Sequence, residues 1–149
     1  MRAVLQRVSR ASVSVDGEVI GRIEQGLVAL VGVEADDGPA DIEYTASKIR
    51  DARIFADDQG RMNRSVVDVG GALLLVSQFT LLGDLRKGRR PAFDGAARPE
   101  AARPIYERLL AALRSTGVIV ETGRFQAHMR LELVNEGPVT VLVDSRRTL

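Results

Sequence analysis

The sequence predicts one mixed α/β domain spanning residues 1–149, and three observations predict it. The length of 149 residues suits a single hydrophobic core. Two runs, Leu27–Val33 and Ala72–Val76, are apolar on both faces, as central strands are, and each is followed later by a segment with helical spacing. Strand-like alternation fills both ends of the chain. The expected order is two strands, then a strand–helix unit twice, then three strands, with mixed and antiparallel pairing.

Each element has its own justification. Residues 1–9 are expected to pair with a neighbouring strand. Val13 and Val15 alternate with Ser12 and Ser14 up to Asp16-Gly17, a dipeptide suited to a hairpin turn whose two central residues need φ > 0, and Glu18-Val19-Ile20 begins the return strand. After the first buried strand, Gly38-Pro39 and the spacing of Ile42, Thr45/Ala46, Ile49 and Ala52 predict a helix over 39–53, started by Asp37 and Pro39. Asp57-Asp58-Gln59-Gly60 reads as a loop. The second buried strand runs into Ser77-Gln78-Phe79-Thr80, and from Gly83 to Pro99 periodicity is lost in a basic loop. A helix over 99–115 follows, with Ile105, Leu109, Leu110 and Leu113 on its apolar face, Pro104 as a kink or an irregular first turn, and Gly117 as its stop. Val118–Glu121, Ala127–Val134 and Val139–Asp144 are the closing strands, the last two linked by Asn135-Glu136-Gly137-Pro138.

Composition excludes whole classes of chemistry. There is no cysteine, one histidine (His128), and 19 arginines against two lysines. Structural zinc, iron–sulfur clusters, disulfides and thiol catalysis therefore lack ligands, and neither a metal nor a cofactor is expected. Asp36, Asp37, Asp57 and Asp58 read as loop and cap residues rather than Mg²⁺ ligands. A net charge of +1 argues against wholesale binding of a polyanion, so any nucleic-acid contact has to be local. No apolar run reaches membrane-spanning length, and Gln6 and Arg7 interrupt any signal-peptide core. A cytoplasmic protein without a membrane partner is the expectation.

Three places are candidates for function. Ser77-Gln78-Phe79-Thr80 stands where a buried strand emerges, the usual position of a site in α/β folds, although its hydroxyls could equally satisfy backbone groups. Gly137-Pro138 is either an ordinary turn or a rigid backbone presenting carbonyls to a ligand. Arg86, Lys87, Arg89 and Arg90 form either a solvated loop or a phosphate contact. His128, expected within a strand, is a weak candidate for the base of a hydroxyl nucleophile.

Together the segments resemble a known family. Ser77-Gln78-Phe79-Thr80-Leu81 and Asn135-Glu136-Gly137-Pro138-Val139-Thr140 are similar to the two signatures of D-aminoacyl-tRNA deacylases, also called D-tyrosyl-tRNA deacylases. Arg2–Val8, Lys87-Gly88-Arg89-Arg90-Pro91 and Thr122-Gly123-Arg124-Phe125 leading to Met129 fall in the same order. Gln126 departs from the pattern, which has a small glycine there, and Glu136 stands where Asp is commoner.

The resemblance implies a three-layered α/β fold (ββ, then βα twice, then βββ) and hydrolysis of the ester of D-aminoacyl-tRNA, including glycyl-tRNA mischarged on tRNA-Ala. It implies a homodimer in which a cis Gly137-Pro138 of one subunit enters the other's site and rejects L-amino acids by steric exclusion. Ser77, Gln78, Phe79 and Thr80 would form the catalytic segment, with backbone N–H groups near Phe79 and Thr80 as oxyanion donors and the tRNA 2′-hydroxyl assisting. Phe125 and Met129 would wall the pocket, Arg7 would brace the partner's Gly-Pro loop, and the basic loop would contact RNA. The alternatives are a non-catalytic dimeric module that binds RNA 3′ ends and a Ser/Thr esterase using His128.

Overall fold

The computed structural model describes residues 1–149, and its framework is built around the first strand. β1 (Arg2–Val15) buries Ala3 and Leu5 in its first half and Ala11, Val13 and Val15 in its second. Pairing irregularities on both sides of Val8 shift which face is buried between the two halves. Such interruptions bend a strand, and here they let its second half turn across the sheet that the first half belongs to. The hairpin turn forms at Asp16-Gly17, with φ of 51° and 80°, and leads into β2 (Glu18–Ile23).

The first half of β1 pairs antiparallel with β3 (Gly26–Gly32). From there the order differs slightly from the expected one. α1 (Pro39–Asp51) is followed by a two-stranded hairpin, β4 (Phe55–Ala56) and β5 (Met62–Arg64), in the region read as a loop. The Asp57 carboxylate organises its turn by accepting the N–H groups of Gln59 and Arg61, each at 2.9 Å. β6 (Ala72–Ser77) pairs parallel with β3, α2 (Pro99–Arg114) crosses over, and β7 (Ile119–Thr122) pairs parallel with β6.

β8 (Arg130–Asp144) runs antiparallel to both halves of β1, so the two last strands expected from the sequence are one. Thr140 pairs with Gln6 and Asn135 with Val8, leaving four β8 residues, 136–139, opposite the single residue Arg7. The Gly-Pro segment is thus a bulge within a strand and does not separate two. The strand starts three residues later than expected, which leaves Ala127 and His128 in the preceding loop.

Alternation along β3 and β6 explains why both read as apolar throughout. Leu27, Ala29, Val31, Leu73 and Leu75 face a cluster shared with α1 and α2 (Ile42, Ile49, Leu109, Leu113). Val28, Leu74 and Val76 face the opposite way, onto Val8, Ala11, Val13 and Ile23 of the folded-over β1–β2 ribbon. The central sheet therefore lies between helices on one side and the ribbon on the other. α1 begins with Pro39 in its first turn and the Gly38 N–H donating to the Asp41 carboxylate at 2.9 Å. Asp37, expected as the start signal, instead accepts the Met1 amino group at 2.6 Å and the Glu34 N–H at 2.7 Å. α2 runs through Pro104 without a break, burying Ala102, Tyr106, Leu109 and Leu113, with Ile105 and Leu110 at the margin. No helix is long and apolar enough to cross a membrane.

Candidate active site

The site grows from the end of β6. Ser77 is the last residue in parallel register with β3, opposite Val31, and the Gln78 N–H donates to the Val31 carbonyl at 2.7 Å. The chain then turns into a short 3-10 helix, Phe79–Leu82, closed by the Gly83 N–H on the Thr80 carbonyl at 3.0 Å. Because Phe79 and Thr80 open this turn, their N–H groups have no acceptor within it. The Gln78 side-chain amide donates to the Thr80 hydroxyl, which orients both. From beneath, the buried Tyr106 hydroxyl donates to the Leu75 carbonyl at 3.0 Å and ties α2 to this strand; burial pushes its phenol well above the ordinary value.

A cleft of about 640 Å³ opens over this segment. One wall is the chain leading into α2, with Phe93, Ala97, Arg98 and Pro99; the other is the loop with Phe125, Gln126, His128 and Met129. Phe79 stays 56% exposed and meets Phe93 edge-on, ring centroids 5.0 Å apart and planes at 62°. Phe125 leans on Tyr106 at 5.8 Å, and the Arg103 guanidinium lies 4.9 Å from its centroid, so the ring is held from two sides. Gln126 has φ of 64°, a left-handed conformation in the turn that the Ala127 N–H closes on the Arg124 carbonyl at 3.1 Å. The position where the family pattern has glycine is thus one whose backbone favours glycine.

The cleft brings together Ser77, Gln78, Phe79, Thr80, Phe125 and Met129. His128 lies at its rim, exposed, and no hydrogen bond joins it to Ser77 or Thr80. Gly137, Pro138 and Arg7 are elsewhere. The Gly137-Pro138 bond is cis, Gly137 has φ of 129°, and both residues are exposed. The segment is held by its own chain: Arg7 donates to the Glu136 carbonyl at 3.1 Å and to the Ile54 carbonyl at 2.7 Å. Asn135 donates to the carbonyls of Arg7, at 3.0 Å, and Val139, at 2.8 Å. Arg7 therefore braces the Gly-Pro bulge of its own chain.

The basic loop also lies outside the cleft lining. Arg86 is engaged by Asp84, with its Nη2 2.6 Å from the carboxylate, which holds that carboxyl down at about 2. Lys87, Arg89 and Arg90 are exposed and form no ion pair. Sequence reasoning missed Phe93, Arg98 and Arg103: the first two lie in a stretch without periodicity, and the third is one polar position among many on α2.

Comparison with known proteins agrees with the geometry. The sequence profile described as D-Tyr-tRNA(Tyr) deacylase matches residues 4–144. A D-aminoacyl-tRNA deacylase of Symbiobacterium thermophilum is 58% identical over 148 residues, 99% of this chain and 98% of that protein. Another, of Koribacter versatilis, is 59% identical over 147 residues, 99% of each. Among solved structures, one described as c-Myc DNA Unwinding Element Binding Protein superposes with a TM-score of 0.92 at 38% identity, covering 97% of this chain and 98% of that one. A probable eukaryotic D-amino acid tRNA deacylase shares the fold, with a TM-score of 0.81 at 19% identity over 95% of this chain and 97% of its own. With the Ser77–Thr80 strand end at the floor of a cleft and the match extending from β1 to the end of β8, the chain belongs to the D-Tyr-tRNA(Tyr) deacylase family.

Proposed function

We propose that the chain hydrolyses the ester bond of D-aminoacyl-tRNA, releasing the D-amino acid and free tRNA in the cytoplasm. The observation that carries this reading is the Ser77–Thr80 strand end lining a mostly apolar cleft, with Phe79 and Thr80 opening a 3-10 turn in which their N–H groups have no acceptor. An aminoacyl ester is already activated. It needs water, orientation, and donors for the oxyanion that forms as water adds to the carbonyl carbon. The two backbone N–H groups suit the last role, Phe125 and Met129 wall the substrate, and the neighbouring 2′-hydroxyl of the terminal adenosine assists the attacking water.

Selection against L-amino acids is assigned to Gly137-Pro138 acting across a homodimer. This segment is exposed and lies outside the cleft of its own chain, which favours delivery to a partner's cleft. Backbone carbonyls set against the substrate α-carbon would exclude an L side chain, leave a D side chain unread and admit glycine, so glycyl-tRNA mischarged on tRNA-Ala belongs among the substrates. A second reading is a non-catalytic dimeric module that binds RNA 3′ ends; one solved relative is described by nucleic-acid binding rather than catalysis, although to DNA.

Deacylation of D-Tyr-tRNA, L-Tyr-tRNA, glycyl-tRNA and a free D-tyrosyl ester separates these readings. Release from the D and glycyl substrates alone is expected. Binding without turnover would favour the second reading, and cleavage of the free ester, lost in His128→Ala, would favour a Ser/Thr esterase. In Gly137→Ala a Cβ would stand 2.8 Å from Val139 Cγ2 and 3.0 Å from Arg7 Nη2, at a φ that only glycine adopts freely. D-Tyr-tRNA turnover is expected to fall roughly 100-fold, the scale of a misplacement near 1 Å.

A further inference from the structure

Arg98 is the one fully charged residue among those lining the cleft. It is exposed, takes part in no ion pair, and its side chain donates no hydrogen bond within the protein. Its backbone is fixed, because it is the N-cap of α2 immediately before Pro99, and its carbonyl accepts the N–H groups of Ala101 at 2.9 Å and Ala102 at 2.8 Å. The other cations of the surrounding segments do not line the cleft, although Arg124 and Arg130 flank it exposed and without an ion pair. Arg103 covers the Phe125 ring, Arg86 is held by Asp84, and none of residues 86–90 lines the cleft.

The charge pattern of the substrate is equally simple. Around the scissile ester lie an α-ammonium group, a ribose and an uncharged adenine. The nearest negative charge is the phosphodiester that joins the terminal nucleoside to the rest of the RNA. A single cation anchored at the start of α2, in a cleft whose other lining side chains carry no formal charge, attracts that phosphate and repels the ammonium, so it sets which end of the substrate lies where. A guanidinium also offers paired N–H donors matched to two phosphate oxygens.

We propose that Arg98 binds this phosphodiester and orients the RNA end in the cleft, so that RNA-linked esters are distinguished from free amino acid esters at this residue. The proposal rests on the deacylase reading and names the part of the substrate that the cleft selects. In it, Lys87, Arg89 and Arg90 meet phosphates further along the strand, while Arg98 meets the first.

The test compares D-Tyr-tRNA with 3′-O-D-tyrosyl-adenosine, which has the ester, ribose and base but no phosphate, in the wild type, Arg98→Gln and Arg98→Lys. For the tRNA substrate Arg98→Gln is expected to raise KM roughly tenfold, as loss of one charge-assisted contact does, with kcat retained. The slope of log affinity against log salt should flatten by about 0.7. Both constants for the nucleoside ester should stay at the wild-type level, and Arg98→Lys should recover part of the tRNA affinity. Equal losses on the two substrates would make Arg98 a residue that shapes the cleft and overturn the proposal, as would an unchanged KM for tRNA. If the wild type does not turn over D-Tyr-tRNA, the deacylase reading falls. Affinity for uncharged tRNA still decides the Arg98 contact, since equal binding by wild type and Arg98→Gln would overturn it.

Discussion

Gln126 shows how a single residue can carry a cost that its neighbours absorb. Its φ of 64° is one that side chains with a Cβ adopt at an expense of about 1–2 kcal/mol, part of which a glycine returns through its larger unfolded-state entropy. Gln126→Gly is therefore expected to stabilise the protein by about 0.5–1 kcal/mol, read as a higher midpoint of urea unfolding. Because the residue lines the cleft, the same change should widen it, and KM for a bulky D-aminoacyl group should not rise. The Ser77–Thr80 segment was readable from the sequence because a buried run ending in polar residues marks a strand leaving the core. Phe93, Arg98 and Arg103 were not, since their placement depends on how the segment before α2 and the helix itself lie against loop 123–129.

Elements were legible where periodicity is strong and hidden where a long strand is interrupted. β3 and β6 read correctly because each is covered on both faces, and α1 and α2 because their buried positions recur every three or four residues. β8 read as two strands because Gly137-Pro138 is ordinarily a turn, yet both its flanks pair with β1 and the bulge is absorbed between Gln6 and Val8. The β4–β5 hairpin escaped notice because its strands have only two and three residues. The closest approach between elements lies where β3 begins. A Cβ on Gly26 would come within 1.8 Å of the Ala72 carbonyl oxygen, a backbone atom that the parallel pairing holds in place. Gly26→Ala is expected to destabilise the fold by at least ~2 kcal/mol, the scale of overpacking in a core, visible as a lower thermal midpoint.

At the scale of the molecule, acid should loosen the fold through a few carboxylates. The Ser145 hydroxyl, donating to Asp41 at 2.6 Å, is the main cause of that carboxyl being held below its ordinary value of 3.8, with the Gly38 N–H adding to it. Asp68 is lowered likewise by the Ser65 N–H and hydroxyl. A group lowered in the folded state contributes its stability above the unfolded value and loses it as pH falls through the folded one. Asp37 works in the opposite direction, because burial raises it. With more groups lowered than raised, the thermal midpoint is expected to drop between about pH 5 and pH 3. Asp41→Asn should lower the midpoint at neutral pH but flatten the drop, since the amide does not titrate. β1 gives the molecule one further property. It is the only strand that hydrogen-bonds to β2, β3 and β8, and its side chains enter both apolar clusters. Loss of β1 would detach β2 and β8, which have no other strand partner, and would open both apolar clusters in the same event. Unfolding is accordingly expected as a single cooperative transition in which the Ser77–Thr80 segment is lost together with the sheet that carries it, checked by coincident loss of secondary structure and of tRNA binding.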